Sequence, residues 1–445
     1  MMQKGTVIEV VLGLLIPVVV AYAQPTPKTS AASDTMITVR NDLVDGDLLI
    51  SPRSVKQTIA VGGISTQIQA FTSAAIQVAV DDAAKNGGGT VQLKAGTYQI
   101  SAPIKLSSNI TLVGAGDSTV LHKVDGYRSL LEVDGDYGMV KVTVRDAKGF
   151  RPGMGVQLSD SQYPSDYDVT VATIVAIEGN TLFLDQPTLR DYDCGHKAVL
   201  TNACSIIEVT GAENVCVANL VVDGNKETND VLGGCRGGAI YLQRASGCVV
   251  ENVKARNFNG DVFSWQTTRN ITVRNCEASH STGKGFHPGT GCENTLVEGC
   301  SSHDNLDGIF LCWRVKQSTF RNNKVFSNKR DGISVNKKDT DNTFVQNHVY
   351  ENGRNGIWFN NYGEANNSHR NVFTGNVVEN NGRKNPGYGF FISSGIRDIT
   401  VQHNTIRDTG TRAQKCGVLI SKGALNIRVL DNTMAGHADG DVVRK

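Results

Sequence analysis

Six side chains capable of acid–base or charge chemistry recur at related places in consecutive short repeats. They are Lys284, His287, Asp307, Arg314, Asp331 and Lys337. Three of them, Lys284, Asp307 and Asp331, each stand before a glycine and a short apolar strand, 23 and 24 residues apart. Neighbouring strands of a sheet lie about 4.8 Å apart, so equivalent residues of successive repeats should be adjacent. The spacing therefore predicts a single site that combines acids, bases and cations.

Two reactions on a sugar polymer suit these residues. In β-elimination, Arg314 or Lys337 neutralises a uronate carboxylate and thereby acidifies the neighbouring C5 proton. Lys284 or His287 then takes that proton as the base. In hydrolysis, two carboxylates act as acid and nucleophile at a separation of about 5 Å.

The carboxylates for hydrolysis would be Asp307 and Asp331, one repeat apart. A plain structural alternative is that Lys284 and these aspartates form surface ion pairs worth under about 1 kcal/mol. Aspartate before glycine is also a common turn residue. We expect the cluster as a whole to be functional, because the other repeats carry uncharged residues at the position we align with Lys284.

Aromatic and amide side chains in the same repeats are candidates for holding a sugar chain. The predicted substrate-binding residues are Phe310, Trp313, Trp358, Asn360 and Asn361. Aromatic faces would serve equally in a carbohydrate-binding protein or an adhesin with no turnover. Catalysis by β-elimination, catalysis by hydrolysis and binding alone thus remain three open hypotheses.

No cofactor is predicted. The cysteines and histidines show none of the spacings of a zinc site, and no calcium-binding nonapeptide repeat is present. A Ca²⁺ ion bridging a uronate to Asp307 and Asp331 fits the carboxylate chemistry, but no motif supports it. The 44 basic and 43 acidic residues nearly balance, which argues against nucleic acid as a partner. A polysaccharide is the predicted partner.

Eight aligned segments position these residues. They begin at Gly237, Gly260, Lys284, Asp307, Asp331, Asn355, Tyr388 and Cys416. Because side chains of a strand alternate between two faces, one column should point inward: Ala239, Val262, Phe286, Ile309, Ile333, Ile357, Phe390 and Val418. The next column should face outward: Ile240, Phe263, His287, Phe310, Ser334, Trp358, Phe391 and Leu419.

A recurring asparagine marks a second feature of each repeat. Its positions are Asn252, Asn275, Asn323, Asn347, Asn376, Asn404 and Asn432, with Gly299 filling the one double-length gap. A fixed period of this size predicts a coiled repeat architecture with at least two strands in each turn. Asparagine tolerates the left-handed corner conformation and can hydrogen-bond its own copy one turn away.

The segments outside the repeats have separate predicted roles. Residues 1–23 read as a secretory signal peptide, with an apolar run before a small-x-small cleavage site. Export to a secreted or periplasmic location, with no membrane span in the mature protein, follows from this. Residues 24–60 should be a flexible segment, and residues 61–445 the coil. Residues 125–200 break the period and predict a β-rich insertion.

The ten cysteines invite disulfides in an exported protein. Yet Cys276 and Cys300 occupy equivalent positions one repeat apart, which is typical of small buried side chains stacked in a core. We therefore expect mostly buried thiols, with a Cys194–Cys204 disulfide as the one exception considered.

An amphipathic helix at residues 72–85, with Thr72 or Ser73 as its N-cap, should cover the exposed end of the first turn. This helix, the run Gly-Gly-Gly-Thr-Val-Gln-Leu-Lys-Ala-Gly-Thr-Tyr at residues 87–98 and the repeats together resemble pectin-lyase-like right-handed parallel β-helix proteins. The resemblance spans residues 60–437. It implies an all-β solenoid with a capping helix, and activities that include polysaccharide lyases, glycoside hydrolases, epimerases and adhesins.

The motifs of two such activities are missing. The Asp-Pro-x-Asp motif of alginate epimerases and the characteristic series of polygalacturonases do not occur in this sequence. The favoured prediction is a lyase that cleaves a uronate-containing polysaccharide by β-elimination.

Overall fold

The computed structural model describes residues 37–40, 47–50, 57–164, 166–384 and 386–445. The predicted signal peptide lies outside these residues. One compact unit, Met1–Arg53, contributes an antiparallel pair of strands, Ile37–Arg40 with Asp47–Ile50, within the segment expected to be flexible. The other unit, Ser54–Lys445, contains the coil. Its first strand is Gln57–Val61, so the coil starts before the predicted boundary at residue 61.

The coil is a parallel β-helix in which each strand hydrogen-bonds to its equivalents in the turns before and after. One face, called here the site sheet, has eleven strands. They are Ile104–Lys105, Ile207–Thr210, Ile240–Gln243, Phe263–Gln266, Lys284–Pro288, Asp307–Phe310, Ile333–Val335, Ile357–Phe359, Gly387–Ile392, Gln414–Ile420 and Gly440–Arg444. Apolar residues from every turn point inward and form one continuous core.

The remaining strands of the coil form two faces that meet at a sharp corner. They are Gln57–Val61, Gly89–Leu93, Gly96–Ile100, Ile110–Val113, Thr119–Lys123, Cys216–Asp223, Val249–Arg256, Thr272–Arg274, Glu277–Ser279, Leu296–Glu298, Ser301–His303, Thr319–Arg321, Lys324–Phe326, Thr343–Val345, His348–Tyr350, Val372–Thr374, Val377–Glu379, Thr400–Gln402, Thr405–Arg407, Arg428–Leu430 and Thr433–Ala435. At the corner one residue per turn is left-handed, as at Asn275 with φ 52°. Each turn thus holds three strands in its regular part.

A single α-helix within the described residues, Ser73–Lys85, covers the first turns as expected. Thr72 is its N-cap, since the Thr72 hydroxyl accepts a hydrogen bond from the Ala75 N–H at 3.2 Å. Its buried side chains, such as Ile76 and Val80, belong to the same core as the coil. Short 3₁₀ helices occur at Gly116–Ser118, Asp166–Asp168, Cys194–His196 and Glu364–Asn366.

The insertion is a six-stranded antiparallel sheet with its own apolar core. Its strands are Arg128–Leu130, Lys141–Thr143, Gly155–Ser159, Thr170–Glu178, Thr181–Leu184 and Val199–Thr201. Leu158, Ile174 and Leu182 are among the residues that pack inside it. It therefore forms a separate layer beside the early turns of the coil.

The predicted alignment of the site-sheet segments is wrong by one residue in the first two. Phe263 pairs with Phe286, and Ile240 pairs with Phe263, so both belong to the inward column. Tyr241 and Ser264 take the place in the outward column that we had given to Ile240 and Phe263. A one-residue slip moves every side chain to the other face, and here apolar residues occupy both phases.

The asparagine column shows a similar slip. From Asn323 onward the ladder forms as predicted, with the Asn323 amide donating to Asn347 Oδ1 at 2.9 Å, and it is buried as far as Asn404. Asn252, Asn275 and Gly299 belong to the neighbouring corner column instead, since Val250, Val273, Val297 and Phe320 are register partners. The left-handed corner residue and the ladder residue of each turn are therefore neighbours in the sequence. Cys276 and Cys300 continue the buried column above Asn323, as their stacking predicted.

No disulfide joins any of the ten cysteines, all of which lie in described segments, and Cys194 and Cys204 are not bonded to each other. No helix in the described part of the chain is long and apolar enough to cross a membrane.

Candidate functional site

Three aspartates in one column of the site sheet have the same backbone role. Lys284 pairs with Asp307, and the register continues to Asp331 and back to Asp261. The Oδ1 atom of Asp261 accepts the backbone N–H of Lys284 at 2.8 Å. In the same way Asp307 accepts the N–H of Asp331 at 3.2 Å, and Asp331 that of Asn355 at 3.1 Å. Each carboxylate therefore ties its turn to the next.

Arginines bind the second oxygens of Asp307 and Asp331. Arg330 forms a two-pronged ion pair with Asp307, and Arg354 forms the same pair with Asp331. Both aspartate side chains are completely buried. The structure brings these two predicted site residues together, but their oxygens are already bound to neighbouring turns of the coil.

The second oxygen of Asp261 contacts a histidine instead. Asp261 Oδ2 lies 2.6 Å from His287 Nδ1, and the two side chains are 3% and 1% exposed. With an ionised aspartate as partner, Nδ1 carries a proton. Nε2 is buried and has no hydrogen-bond partner among the described residues. This Asp261–His287 pair has the form of a base held by a carboxylate.

Lys284 supplies the positive charge at this pair. Its Nζ lies 3.7 Å from Asp261 Oδ2 and 5.1 Å from the ring centre of Phe310. Burial alone would raise the pKa of Asp261, but the Lys284 ammonium and the hydrogen bond from His287 hold that pKa below its ordinary value. The carboxylate is therefore charged. The Phe310 ring also meets His287 edge-on, at 5.5 Å between ring centres.

Two glycines make room for the pair. Gly283 stands immediately before Lys284, where the equivalent residue of a later turn is Arg330. A Cβ at Gly283 would lie 2.2 Å from Asp261 Oδ1. Gly234 lies in the loop 226–236, and a Cβ there would lie 1.7 Å from Asp261 Oδ2 and 2.6 Å from His287 Nδ1.

The loop is held in place over the pair by the outward column. The carbonyl of Gly234 accepts hydrogen bonds from Ser264 Oγ at 2.6 Å and from Gln266 Nε2 at 3.2 Å. The predicted exposure of His287 is therefore wrong, because this loop and its neighbours cover the column at this turn.

The other predicted cations form a second group at the far end of the strands. The Lys337 ammonium lies 5.0 Å from the ring of Trp313 and 4.9 Å from that of Tyr362. The Arg314 guanidinium lies 5.2 Å from Trp313 and is exposed. No contact joins Arg314 or Lys337 to His287 in the described structure. The predicted single site is thus divided between the two ends of the strands.

Trp358 and the two predicted asparagines lie farther along the stack. The Trp358 ring is partly exposed and stacks with the Arg354 guanidinium at 4.3 Å. Asn361 Oδ1 accepts the N–H of Gly363 at 2.8 Å, which closes a local turn. Asn360 is partly buried beside the same loop.

A fourth buried carboxylate, Asp339, has no cationic partner within 4 Å among the described residues. Its oxygens accept the backbone N–H groups of Val315 at 2.9 Å and Asn336 at 2.8 Å. Burial raises the pKa of Asp339 to about 7, even though these hydrogen bonds oppose the shift.

A cleft of about 480 Å³ separates the insertion from the early strands of the site sheet. Thr170 and Thr173 line it on the insertion side, and Glu208 and Tyr241 on the coil side. Lys105 crosses one end and pairs with Asp185 at 3.0 Å. The outward column that includes His287 continues through Ser264 and Tyr241 into this cleft.

Asp261, Arg330 and Arg354 were not among the predicted site residues. The apolar pattern does not align Asp261 with Lys284, because Val262 and Phe263 are both apolar and either phase satisfies it. The arginines carry a readable signal, since each directly precedes the next residue of the column, at Arg330-Asp331 and Arg354-Asn355.

Comparisons with known proteins agree with the architecture. A family profile described as the right-handed beta helix region matches residues 205–373. The A-module of the mannuronan C-5 epimerase AlgE4 from Azotobacter vinelandii is 16% identical, with a TM-score of 0.54 over 83% of this chain and 93% of that one. The Streptococcus pneumoniae surface adhesin PfbA is 12% identical, with a TM-score of 0.51 over 87% of this chain and 100% of that one. The chain therefore has the right-handed parallel β-helix fold.

One relative is similar to this chain in its amino-acid sequence over a short segment. Alginate lyase 7 of Azotobacter vinelandii is 33% identical over 121 residues, which is 22% of this chain. The match spans 14% of that protein's length. The same fold thus occurs in polysaccharide-modifying enzymes and in an adhesin.

Proposed function

We propose that this protein is a polysaccharide lyase that cleaves a uronate-containing polysaccharide by β-elimination. The observation that carries the proposal is the Asp261–His287 pair, in which a buried imidazole has its Nδ1 bound to a carboxylate and its Nε2 without a hydrogen-bond partner in the described part of the chain. General base catalysis by such a group typically contributes about 10²–10⁴-fold to a rate. The 33% identity to an alginate lyase over a short segment favours the same reaction class.

In the proposed reaction, His287 Nε2 takes the proton from C5 of a uronate. The electrons of that C–H bond form a C4–C5 double bond, and the C4–oxygen bond to the next sugar breaks. The proton held by His287 is then returned to the leaving oxygen, so the atoms and charges balance. Asp261 holds the imidazole in the required tautomer and stabilises its protonated form.

Lys284 is assigned a charge role rather than the role of base. Its ammonium lies 3.7 Å from the ionised Asp261 and forms an ion pair with that carboxylate. A positive charge beside the uronate carboxylate stabilises the negative charge that develops during proton abstraction. Access to Nε2 requires the loop 226–236 to move, and the cleft beside the insertion would hold neighbouring sugars.

The hydrolase alternative, with Asp307 and Asp331, has less support. Both carboxylates are fully buried, and both oxygens of each are engaged by an arginine and a backbone N–H. A nucleophile or acid needs an oxygen that can reach the sugar.

The experiment is a panel of uronate polymers incubated with the protein and followed by the ultraviolet absorbance of the unsaturated product. A lyase gives that absorbance, and His287→Gln should remove it. New reducing ends without absorbance would identify a hydrolase, and binding without product would identify an adhesin-like role. Inversion at C5 without cleavage, read by proton NMR, would identify an epimerase.

Export of the protein is a further proposal, based on the predicted signal peptide at residues 1–23. Cell fractionation tests it directly. A protein found only in the cytoplasm, with residues 1–23 still attached, would contradict it.

A further inference from the structure

We propose that His280, His303 and Asp304 bind one divalent transition-metal ion, at a site separate from the Asp261–His287 pair. Within the described ranges, these three side chains are the group of metal-binding type whose ligand atoms all lie within 4.8 Å of one another. His303 Nδ1 lies 2.8 Å from Asp304 Oδ2, and His280 Nε2 lies 3.9 Å from the same oxygen. Such a set can meet on one ion after a small rotation of an exposed side chain.

The coil itself brings these residues together. Ser279 pairs with His303, so the next residues, His280 and Asp304, are equivalent corner positions of adjacent turns. Both have left-handed backbones, with φ of 57° and 56°. Their side chains therefore leave the corner side by side, and the imidazole of His303 approaches from the adjoining strand.

The surroundings of His303 match those of a metal ligand. Its ring stacks on Phe326, with ring centres 4.7 Å apart and planes at 14°, which restricts its orientation. Its other nitrogen, Nε2, lies 3.6 Å from Glu277 Oε1. Metal-binding histidines usually donate their second N–H to a carboxylate, which holds the ring and strengthens the ligand. At 3.6 Å, Glu277 can take this role after a small shift of its side chain.

The donor set selects the class of ion. Two imidazoles and one carboxylate suit zinc and its neighbours in the first transition row, and three protein ligands leave a position open for water. Ca²⁺ and Mg²⁺ prefer sites made of oxygen atoms. Positive charges also stand nearby. Lys226 Nζ donates to the backbone carbonyl of His280 at 2.6 Å, and Lys329, Arg383 and Lys384 line the same surface pocket as His280 and Asp304. The carboxylates of Asp304 and Glu277 offset the charge of Lys226, and Glu351 pairs with Arg383 at 2.9 Å.

The test uses the full chain, purified without a polyhistidine tag and stripped of metal with a chelator. Zn²⁺ is titrated by calorimetry, and Co²⁺ by visible absorbance, which reports the geometry and ligands of the ion. We expect one ion per chain. His280→Ala and His303→Ala should each weaken binding by about 100-fold or more, and Glu277→Gln by about tenfold.

The matched control is His348→Ala, since His348 also pairs with a carboxylate, Glu379, at 2.7 Å. That variant should bind as the wild type does. Circular dichroism of each variant checks that the coil remains folded. Absence of binding, binding unchanged in both His280→Ala and His303→Ala, or a thiolate-to-cobalt charge-transfer band that places the ion on cysteine would overturn the proposal.

Discussion

Asp261 and Asp331 occupy equivalent positions of the same sheet, yet their surroundings give them different chemistry. Both use one oxygen to accept a backbone N–H of the next turn, at 2.8 Å and 3.1 Å. The second oxygen of Asp331 accepts a hydrogen bond from Arg354, whereas the second oxygen of Asp261 contacts His287. One position therefore serves as structural support in one turn and as the partner of a buried imidazole in another.

The difference originates in the residue that begins the following turn. Arg330 and Arg354 reach back one turn to a carboxylate and neutralise it. The equivalent residue after Asp261 is Gly283, which has no side chain. The second oxygen of Asp261 therefore contacts the imidazole of His287 and not an arginine. A buried carboxylate closed by arginine stabilises the stack. Under the proposed mechanism, the same carboxylate without an arginine positions the base, so the proposed function depends on the missing side chain at Gly283.

The largest expected effect is on catalysis by the Asp261–His287 pair. His287→Gln removes the basic nitrogen while keeping a side chain of similar polarity, so turnover on an active uronate polymer should fall by about 10³-fold. Initial rates of product absorbance measure this loss, and thermal unfolding checks the fold. Turnover near that of the wild type would show that another residue is the base.

Filling the space beside Asp261 should have the next largest effect. In Gly283→Ala the new Cβ would lie 2.2 Å from Asp261 Oδ1 and 2.5 Å from the backbone carbon of Gly260, so the carboxylate and the neighbouring turn must shift. A displacement of about 1 Å in a catalytic group can cost about 10²-fold in rate. The comparison variant is Gly135→Ala, where the new Cβ would meet its nearest neighbour, Leu131 Cδ1, at an ordinary 3.4 Å. Equal activity of the two variants would mean that the position of Asp261 does not control the reaction.

Removing an arginine should lower the stability of the fold and leave turnover unchanged, the opposite of the two preceding variants. Arg354→Ala leaves the charge of Asp331 buried and unpaired. Loss of one partner from a buried pair costs about 3 kcal/mol, at the lower end of the usual range because Arg354 is partly exposed. Urea unfolding measures this loss.

Turnover of folded Arg354→Ala protein should stay near that of the wild type. Asp331→Asn supplies the sharper contrast, since the hydrolase hypothesis requires that carboxylate for catalysis. An Asp331→Asn protein that is folded but inactive would restore the hydrolase hypothesis.

The last prediction concerns the pH dependence of stability and Asp339, a buried carboxylate with no cationic partner within 4 Å among the described residues. Its pKa is about 7 in the folded protein, against about 3.9 for an unfolded aspartate. Between these values the unfolded chain releases a proton that the folded chain retains, so the stabilising contribution present below pH 4 is lost as the pH rises towards 7.

Asp339→Asn cannot ionise and should lack this loss. Its melting temperature relative to that of the wild type should therefore rise by a few degrees between about pH 4 and pH 7. Scanning calorimetry across that range measures the difference. A constant difference would show that Asp339 is already ionised throughout.

Much of the architecture could be predicted because the same sequence pattern occurs in many successive repeats. The inward column from Phe286 onward, the asparagine ladder from Asn323 onward and the helix at residues 73–85 each follow from periodicity or capping. The pairing of Lys284 with Asp307 follows as well, because both stand before the same glycine. The earlier turns were misaligned because Ala239 and Ile240 are both apolar, so either phase satisfies the hydrophobic pattern.

The amino-acid sequence by itself determined the coil, its core and the approximate turns that carry the polar residues, since these depend on patterns repeated along the chain. Tertiary structure alone decided which oxygen of each aspartate meets an arginine, a lysine or a histidine. Those contacts join residues more than twenty positions apart across a single strand spacing. A one-residue shift, or one missing side chain as at Gly283, changes the partner and with it the chemistry.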